Sequence, residues 1–348
     1  MPRRIVLPAS VDEQDFALIN AWQRDFPLDS RPFAHIAAAH QLTESDILLR
    51  YRRLIAAGVI SRVGPVFAPN SLGASALVAL AAPPAELEEV ALRVSSETAV
   101  NHNYEREHRY NLWFVVTASD RTQLAATVAG IASDTGCPVL TLPLEEEFHI
   151  DLGFDLSTVA GKLGAPGAGG LSQPVSFSAA DRPQLSPAER ELARRLQSGL
   201  ELVAQPFAAL ATALDTSEGF ILGCLERWLE SGILRRFGVV VRHHELGLAA
   251  NAMCVWDVPD DQVSALGRAL AAEPAVTLCY RRRRVLPGWP YNLFCMIHGH
   301  ARDEVLAARE EICRRHGLEA LRQDVLFSRR RFKQTGARYL VDKETADV

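Results

Sequence analysis

Three stretches of the chain carry residue types that do chemistry, packed closer than ordinary connections require. The first is Asn101-His102-Asn103-Tyr104-Glu105-Arg106-Glu107-His108-Arg109-Tyr110-Asn111-Leu112-Trp113. The second is Tyr280-Arg281-Arg282-Arg283-Arg284-Val285-Leu286-Pro287-Gly288-Trp289-Pro290-Tyr291-Asn292-Leu293-Phe294. A hairpin turn asks for Gly, Asn or Asp, not for two histidines or four successive arginines. The third, Ser328-Arg329-Arg330-Arg331-Phe332-Lys333, is a further basic run. A single charge run is usually a solvated face. Two on adjoining elements of one small domain, in a chain of net charge −5, point to a site for a polyanion. Planar guanidinium forks suit carboxylates and phosphates. His102 and His108 lie inside the first stretch, and His243-His244 forms a tandem pair entering a strand. Successive strand residues face opposite ways, so one of that pair points inward. His298 and His300 follow a strand, His35, His40 and His316 belong to helices, and His149 adjoins Glu145–Glu147 as an ion-pair partner.

The elements that hold these stretches come twice. Pro32-Phe33 recurs 174 residues on as Pro206-Phe207, and Leu72-Gly73 as Leu246-Gly247 at the same offset. Tyr110-Asn111-Leu112-Trp113 answers Tyr291-Asn292-Leu293-Phe294, and Phe148 answers Phe332. Such order along a whole chain marks a duplication or fusion. Each half opens with three apolar-periodic helices, Asp15–Arg24, Phe33–Ala39 and Ser45–Ala57 in half one, with Thr43 and Asp46 spaced as a capping box. A Gly-led strand follows, the pattern of a winged helix-turn-helix. The rest of each half alternates as β-α-β-β-α-β, the ferredoxin-like unit. The expected class is therefore α+β. The expected boundaries are a helix-turn-helix at 12–70, a ferredoxin-like domain at 71–154, a Gly/Pro linker at 155–185, then 186–244 and 245–340.

Composition narrows the function. The 348 residues are 48% hydrophobic and 23% charged, which excludes a disordered tail or a rod. No stretch reaches the roughly 18 consecutive apolar residues of a membrane span, and the N-terminal apolar run is too short for a signal peptide. The expected location is cytoplasmic. Six cysteines without a C-x-x-C pair read as small buried hydrophobes in a reducing compartment. A helix-turn-helix reads bases from the start of its second helix. Here that start is Thr43-Glu44-Ser45-Asp46 in one half and Asp215-Thr216-Ser217-Glu218 in the other. Carboxylates where phosphates would lie predict no DNA binding.

The order of these domains resembles the Lrp/AsnC family over both halves. Within it, H-N-Y-E-R-E-H-x-Y-N-L-W-F (His102–Phe114), R-H-H-E-L-G (Arg242–Gly247) and W-P-Y-N-L-F (Trp289–Phe294) resemble siroheme decarboxylase with both of its subunit types fused. The resemblance spans roughly residues 12–340. It implies removal of two acetate carboxylates from siroheme, giving 12,18-didecarboxysiroheme for haem d1. Half two reads Thr277-Leu278-Cys279-Tyr280 and has no histidine where half one has His102, which favours one composite pocket. An iron tetrapyrrole with eight carboxylates needs aromatic walls, here Tyr104, Tyr110, Trp113, Tyr280, Trp289 and Tyr291. It needs cations, here Arg106, Arg281, Arg282, Arg329, Arg330 and Arg331. Loss of CO2 needs a proton delivered to the carbon left behind, and His102, His108, His243 and His244 are the candidate donors. One histidine is also a candidate axial ligand to the substrate's iron. The protein itself is expected to hold no metal, and no cofactor is expected beyond that tetrapyrrole. Other haem d1 enzymes and a second copy of the chain are the remaining expected partners. The same fold also allows a ligand-sensing transcription regulator or a non-catalytic tetrapyrrole carrier.

Overall fold

A computed structural model describes residues 11–150, 183–241 and 250–340. The expected linker and the His243-His244 pair lie largely or wholly outside these residues.

Half one begins with α1 (Glu13–Ala21), α2 (Pro32–His40) and α3 (Glu44–Ala56). Each start follows from local chemistry. Asp12 and Asp15 exchange side-chain and backbone hydrogen bonds at α1, Pro32 opens α2, and Thr43 with Asp46 forms the expected capping box of α3. Strand β1 (Ile60–Phe67) follows, then β2 (Ala74–Leu80), α4 (Leu87–Ser96), β3 (Val100–Arg106), β4 (Leu112–Ala118), α5 (Arg121–Thr135) and β5 (Val139–Ile150). Half two repeats the series. Its members are α6 (Pro187–Leu196), α7 (Pro206–Ala213), α8 (Glu218–Glu230), β6 (Leu234–Val241), β7 (Ala250–Trp256), α9 (Val263–Ala271), β8 (Val276–Arg282), β9 (Leu293–Gly299), α10 (Arg302–His316) and β10 (Gln323–Gln334).

The halves complete each other at both levels. The strand after each helix-turn-helix pairs with its counterpart in the other half, β1 antiparallel to β6, with Gly64 opposite Gly238 at the centre. Gly238 is required there, because a Cβ would collide with the carbonyls of Trp22 and Gln23, and Val239 N–H donates to Trp22 O at 2.8 Å. The six helices then share one apolar core.

The two four-stranded units likewise fuse, into a closed barrel of order β10-β3-β4-β2-β5-β8-β9-β7. The twelve-residue last strands make the joint. β5 pairs with β2 of its own half and then with β8, and β10 pairs with β7 and then with β3. Each unit alone would present an open edge, and closure removes both. Helices α4 and α5 cover one outer face and α9 and α10 the other. No single helix among the described residues is long and apolar enough to cross a membrane.

The barrel interior has two zones. One end is filled by Trp113, Trp289, Tyr291 and Phe294, with Trp289 centred 5.0 Å from both Trp113 and Tyr291. Burying roughly 150–250 Å² per aromatic ring makes this plug a large contributor to stability. The other end is hollow, and the β1–β6 ribbon contributes to its lining.

Candidate active site

The hollow is a cavity of about 440 Å³. Strand alternation decides what reaches it. On β3, period two puts His102, Tyr104 and Arg106 on the inner face. On β8 it selects Tyr280 and Arg282, and β4 and β9 add Trp113, Phe294, Met296 and His298. The ribbon adds Arg62 from β1 and Arg236 from β6. Among the described residues that line the cavity there is no Asp or Glu.

Its cations are therefore held by carbonyls. Arg106 Nη1 donates to Leu326 O at 3.0 Å, Arg282 Nη1 to Leu142 O at 2.9 Å, and Arg62 Nη2 to Pro65 O at 3.0 Å. The Nε of each is buried without a hydrogen-bond acceptor. Burial lowers all three guanidiniums to about 10. Arg106 lies 5.9 Å from the Tyr104 ring centre and Arg282 5.1 Å from that of Tyr280. A buried, carbonyl-held guanidinium with a spare N–H is built to take a carboxylate.

Two histidines face the same space. His102 stacks on Tyr104, ring centres 6.2 Å apart. Burial foremost, and the nearby Arg62 charge second, push it down to about 4. His298 Nδ1 lies 2.8 Å from Thr277 Oγ1, and that hydroxyl donates to Met296 O at 3.1 Å. With its one hydrogen so used, Thr277 accepts from Nδ1–H, which fixes the tautomer of His298. Burial also raises the Tyr104 and Tyr280 phenols, which stay neutral.

Of the expected site residues, His102, Tyr104, Arg106, Trp113, Tyr280 and Arg282 meet in this cavity. Arg331 pairs in register with Tyr104 and bonds Gln334 Oε1 at 3.1 Å, and is not one of the residues that line the cavity. The structure takes the others elsewhere. Arg281 turns outward to Glu145 (3.1 Å) and Asp260 (3.3 Å). Arg329 pairs with Glu107 at 3.4 Å, and Arg330 with Glu88 at 2.5 Å and Glu105 at 3.5 Å. Alternation parts Arg281 from Arg282, and in β10 the bulged register with β3 leaves both Arg329 and Arg330 on outward ion pairs. Tyr110, Trp289 and Tyr291 belong to the aromatic plug. His108 stacks on Tyr110 and meets the edge of Trp289, with Asp324 3.6 Å away. His243 and His244 lie outside the described residues.

Sequence reasoning missed His298, Arg62 and Arg236. The repeat held a signal for the arginines, since the offset of 174 that relates the helix-turn-helix motifs carries Arg62 onto Arg236. His298 had none, because its partner position in half one is Thr117.

The helix-turn-helix cations are also committed. Arg50 bonds Asp15 at 2.7 Å and Asp12 at 2.8 Å, and Arg53 bonds the same fully buried Asp15. Arg31 takes Glu44 at 2.5 Å.

Comparison with known proteins finds relatives over nearly the whole chain. The AsnC-like ligand binding domain matches residues 71–149 and 245–333, and the siroheme decarboxylase NirDL-like HTH domain matches 15–60 and 189–235. The siroheme decarboxylase NirDL subunit of Paracoccus denitrificans is 42% identical, over 94% of this chain and 98% of that protein. A siroheme decarboxylase of Hydrogenobacter thermophilus is 31% identical, over 92% of this chain and 93% of its own. The crystal structure of a siroheme decarboxylase NirDL in complex with an iron-uroporphyrin III analogue superposes with a TM-score of 0.66 at 28% identity, covering 94% of this chain and 93% of that one.

Proposed function

The chain belongs to the siroheme decarboxylase NirDL family, and from that premise we propose that it removes the two acetate carboxylates of siroheme that yield 12,18-didecarboxysiroheme, acting as a carbon–carbon lyase. The observation that carries the reading is the cavity. It combines four inward arginines, two histidines and aromatic walls with no lining carboxylate among the described residues. That is the complement of a flat polyanion.

Arg62, Arg106, Arg236 and Arg282 hold substrate carboxylates. Tyr104, Tyr280, Trp113 and Phe294 flank the macrocycle. When a C–C bond breaks, CO2 departs and the electron pair stays on the methylene carbon, delocalised into the conjugated ring. A proton from His102 or His298 then completes the methyl group, and the imidazole recovers its proton from solvent. The balance needs no oxidant, so we propose no cofactor beyond the substrate's own iron tetrapyrrole. The six cysteines, all free thiols, favour a reducing compartment, and we place the reaction in the cytoplasm. Arg31, Arg50 and Arg53 of the helix-turn-helix already hold carboxylates of their own chain, which supports a role for these modules in roofing the cavity over a role on DNA.

Anaerobic incubation with siroheme followed by mass spectrometry tests the reading. Loss of two CO2 units is expected. Binding with unchanged mass would make the protein a carrier, and a specific gel shift without turnover would make it a regulator.

The outward arginines give a second expected result. Arg281→Ala and Arg330→Ala should change siroheme affinity by less than about threefold, because exposed ion pairs are worth roughly 0–1 kcal/mol. Absorbance titration checks this, and a tenfold loss in either variant would return that run to the site.

A further inference from the structure

We propose that the substrate loads its own proton donor: a tetrapyrrole carboxylate entering between Arg62 and His102 turns His102 into an imidazolium. This rests on the decarboxylase reading and adds how the donor acquires its proton.

The difficulty it resolves is geometric. His102 shares the cavity with Arg62, which reaches it from β1 half-buried, its Nη2 on the Pro65 carbonyl and its Nε buried without an acceptor. The walls beside His102 supply no counter-charge, and the buried Glu147 of β5 stands in register with Tyr280 and is held by Arg235. Tyr104 lies on the same strand, β4 presents Val115 and Thr117, and Gln334 of β10 is followed by Thr335. Gly336 closes one side of Arg62 so tightly that a Cβ there would sit 2.8 Å from Nη1. Two adjacent cations in a desolvated space repel strongly, so the free protein keeps His102 neutral, in accord with its downward shift. A neutral imidazole is a poor acid. Among the described residues, the anion that relieves this pair must arrive with the ligand.

An opposite charge within about 4–6 Å favours the charged form, typically by about 1–3 pH units. Starting from about 4, His102 then returns to the neighbourhood of its ordinary value and draws a proton from solvent. After CO2 leaves, that proton passes to the methylene carbon and His102 is neutral again. The donor is charged only while substrate is present. The sign follows from linkage: binding raises the pKa of His102, so affinity strengthens as pH falls through the bound-state value and levels off near the free-state value. The role also explains why the ribbon matters, since β1 delivers Arg62.

The test is calorimetric titration of the full chain with iron-uroporphyrin III, at pH 6 and pH 8, in buffers of different ionisation enthalpy. The wild-type protein is expected to take up roughly half a proton more than His102→Gln at pH 6, and no more than that variant at pH 8. Arg62→Gln should bind about tenfold more weakly yet keep the His102-dependent uptake. Equal uptake by wild type and His102→Gln at pH 6 overturns the inference alone. Absence of binding at both pH values overturns the decarboxylase reading with it. Should His102→Gln lose its fold by circular dichroism, the wild-type affinity between pH 5 and 8 decides, because an affinity that does not strengthen toward low pH overturns the inference.

Discussion

His102→Ala and His298→Ala are each expected to lower turnover by roughly 10²–10⁴-fold, the usual worth of a positioned general acid, while siroheme still binds. Both rings line the cavity, and neither is part of the aromatic plug, so their removal leaves the apolar interior intact. They occupy unlike places in the repeat. His102 is on β3 with Leu278 as its counterpart in the repeat, and His298 is on β9 with Thr117 as its counterpart. Two donors at non-equivalent positions should serve two different arms. Each single variant is then expected to accumulate a mono-decarboxylated intermediate, and the two intermediates should be different regioisomers by chromatography.

His108→Ala is the matched control. Its ring packs on Tyr110 and Trp289 away from the cavity, so turnover should stay within about twofold of wild type, whatever it loses in stability. A collapse of turnover in His108→Ala, with His102→Ala unaffected, would move the chemistry to the plug end of the barrel. A displaced Soret band in the His102 variant would instead mean that this imidazole reaches the iron.

Much of this was legible from local rules. Duplication is written in Pro32-Phe33 and Pro206-Phe207, and both of these prolines open a helix. Thr43 and Asp46 make the cap their spacing promises. The inner triplet His102, Tyr104 and Arg106 follows from alternation once the stretch is taken as strand. What was not legible depends on pairing between distant segments. Arg281 and Arg282 are equivalent as sequence, and only the register of β5 on β8 sends one to Glu145 and the other inward. Bulges in that register and in β10 on β3 shift the phase again, so counting along Arg329–Arg331 could not sort them. Trp289 and Tyr291 have the composition of a ligand wall, and barrel closure buries them as core. Arg62 was masked by the ordinary look of an amphipathic strand, because its role appears only when the ribbon pairs across the halves.

The arginines set a trade between folding and binding that one pair of variants can expose. Arg106 and Arg282 occupy the same place in the two halves, each held by one carbonyl with a buried Nε lacking an acceptor. Burial lowers both to about 10, well below the ordinary guanidinium value, which means the folded protein bears a charge it disfavours. Replacing such a buried charge by an apolar side chain of similar length is often neutral or stabilising. Arg106→Met and Arg282→Met should therefore leave the melting temperature of the free protein unchanged or higher. Binding should move the other way. A hydrogen bond to a charged group is worth roughly 1.5–3 kcal/mol, so each variant should lose about tenfold to 150-fold in siroheme affinity. The two side chains act from opposite halves, and separate contacts add, so the double variant should lose roughly 10²–10⁴-fold. Thermal melts with and without ligand, beside absorbance titration, read both quantities at once. A lower melting temperature with unchanged affinity would make these arginines braces for the Leu326 and Leu142 carbonyls. The expected pattern, stability kept and affinity lost, makes them cations stored at a cost to the fold until the substrate's carboxylates neutralise them.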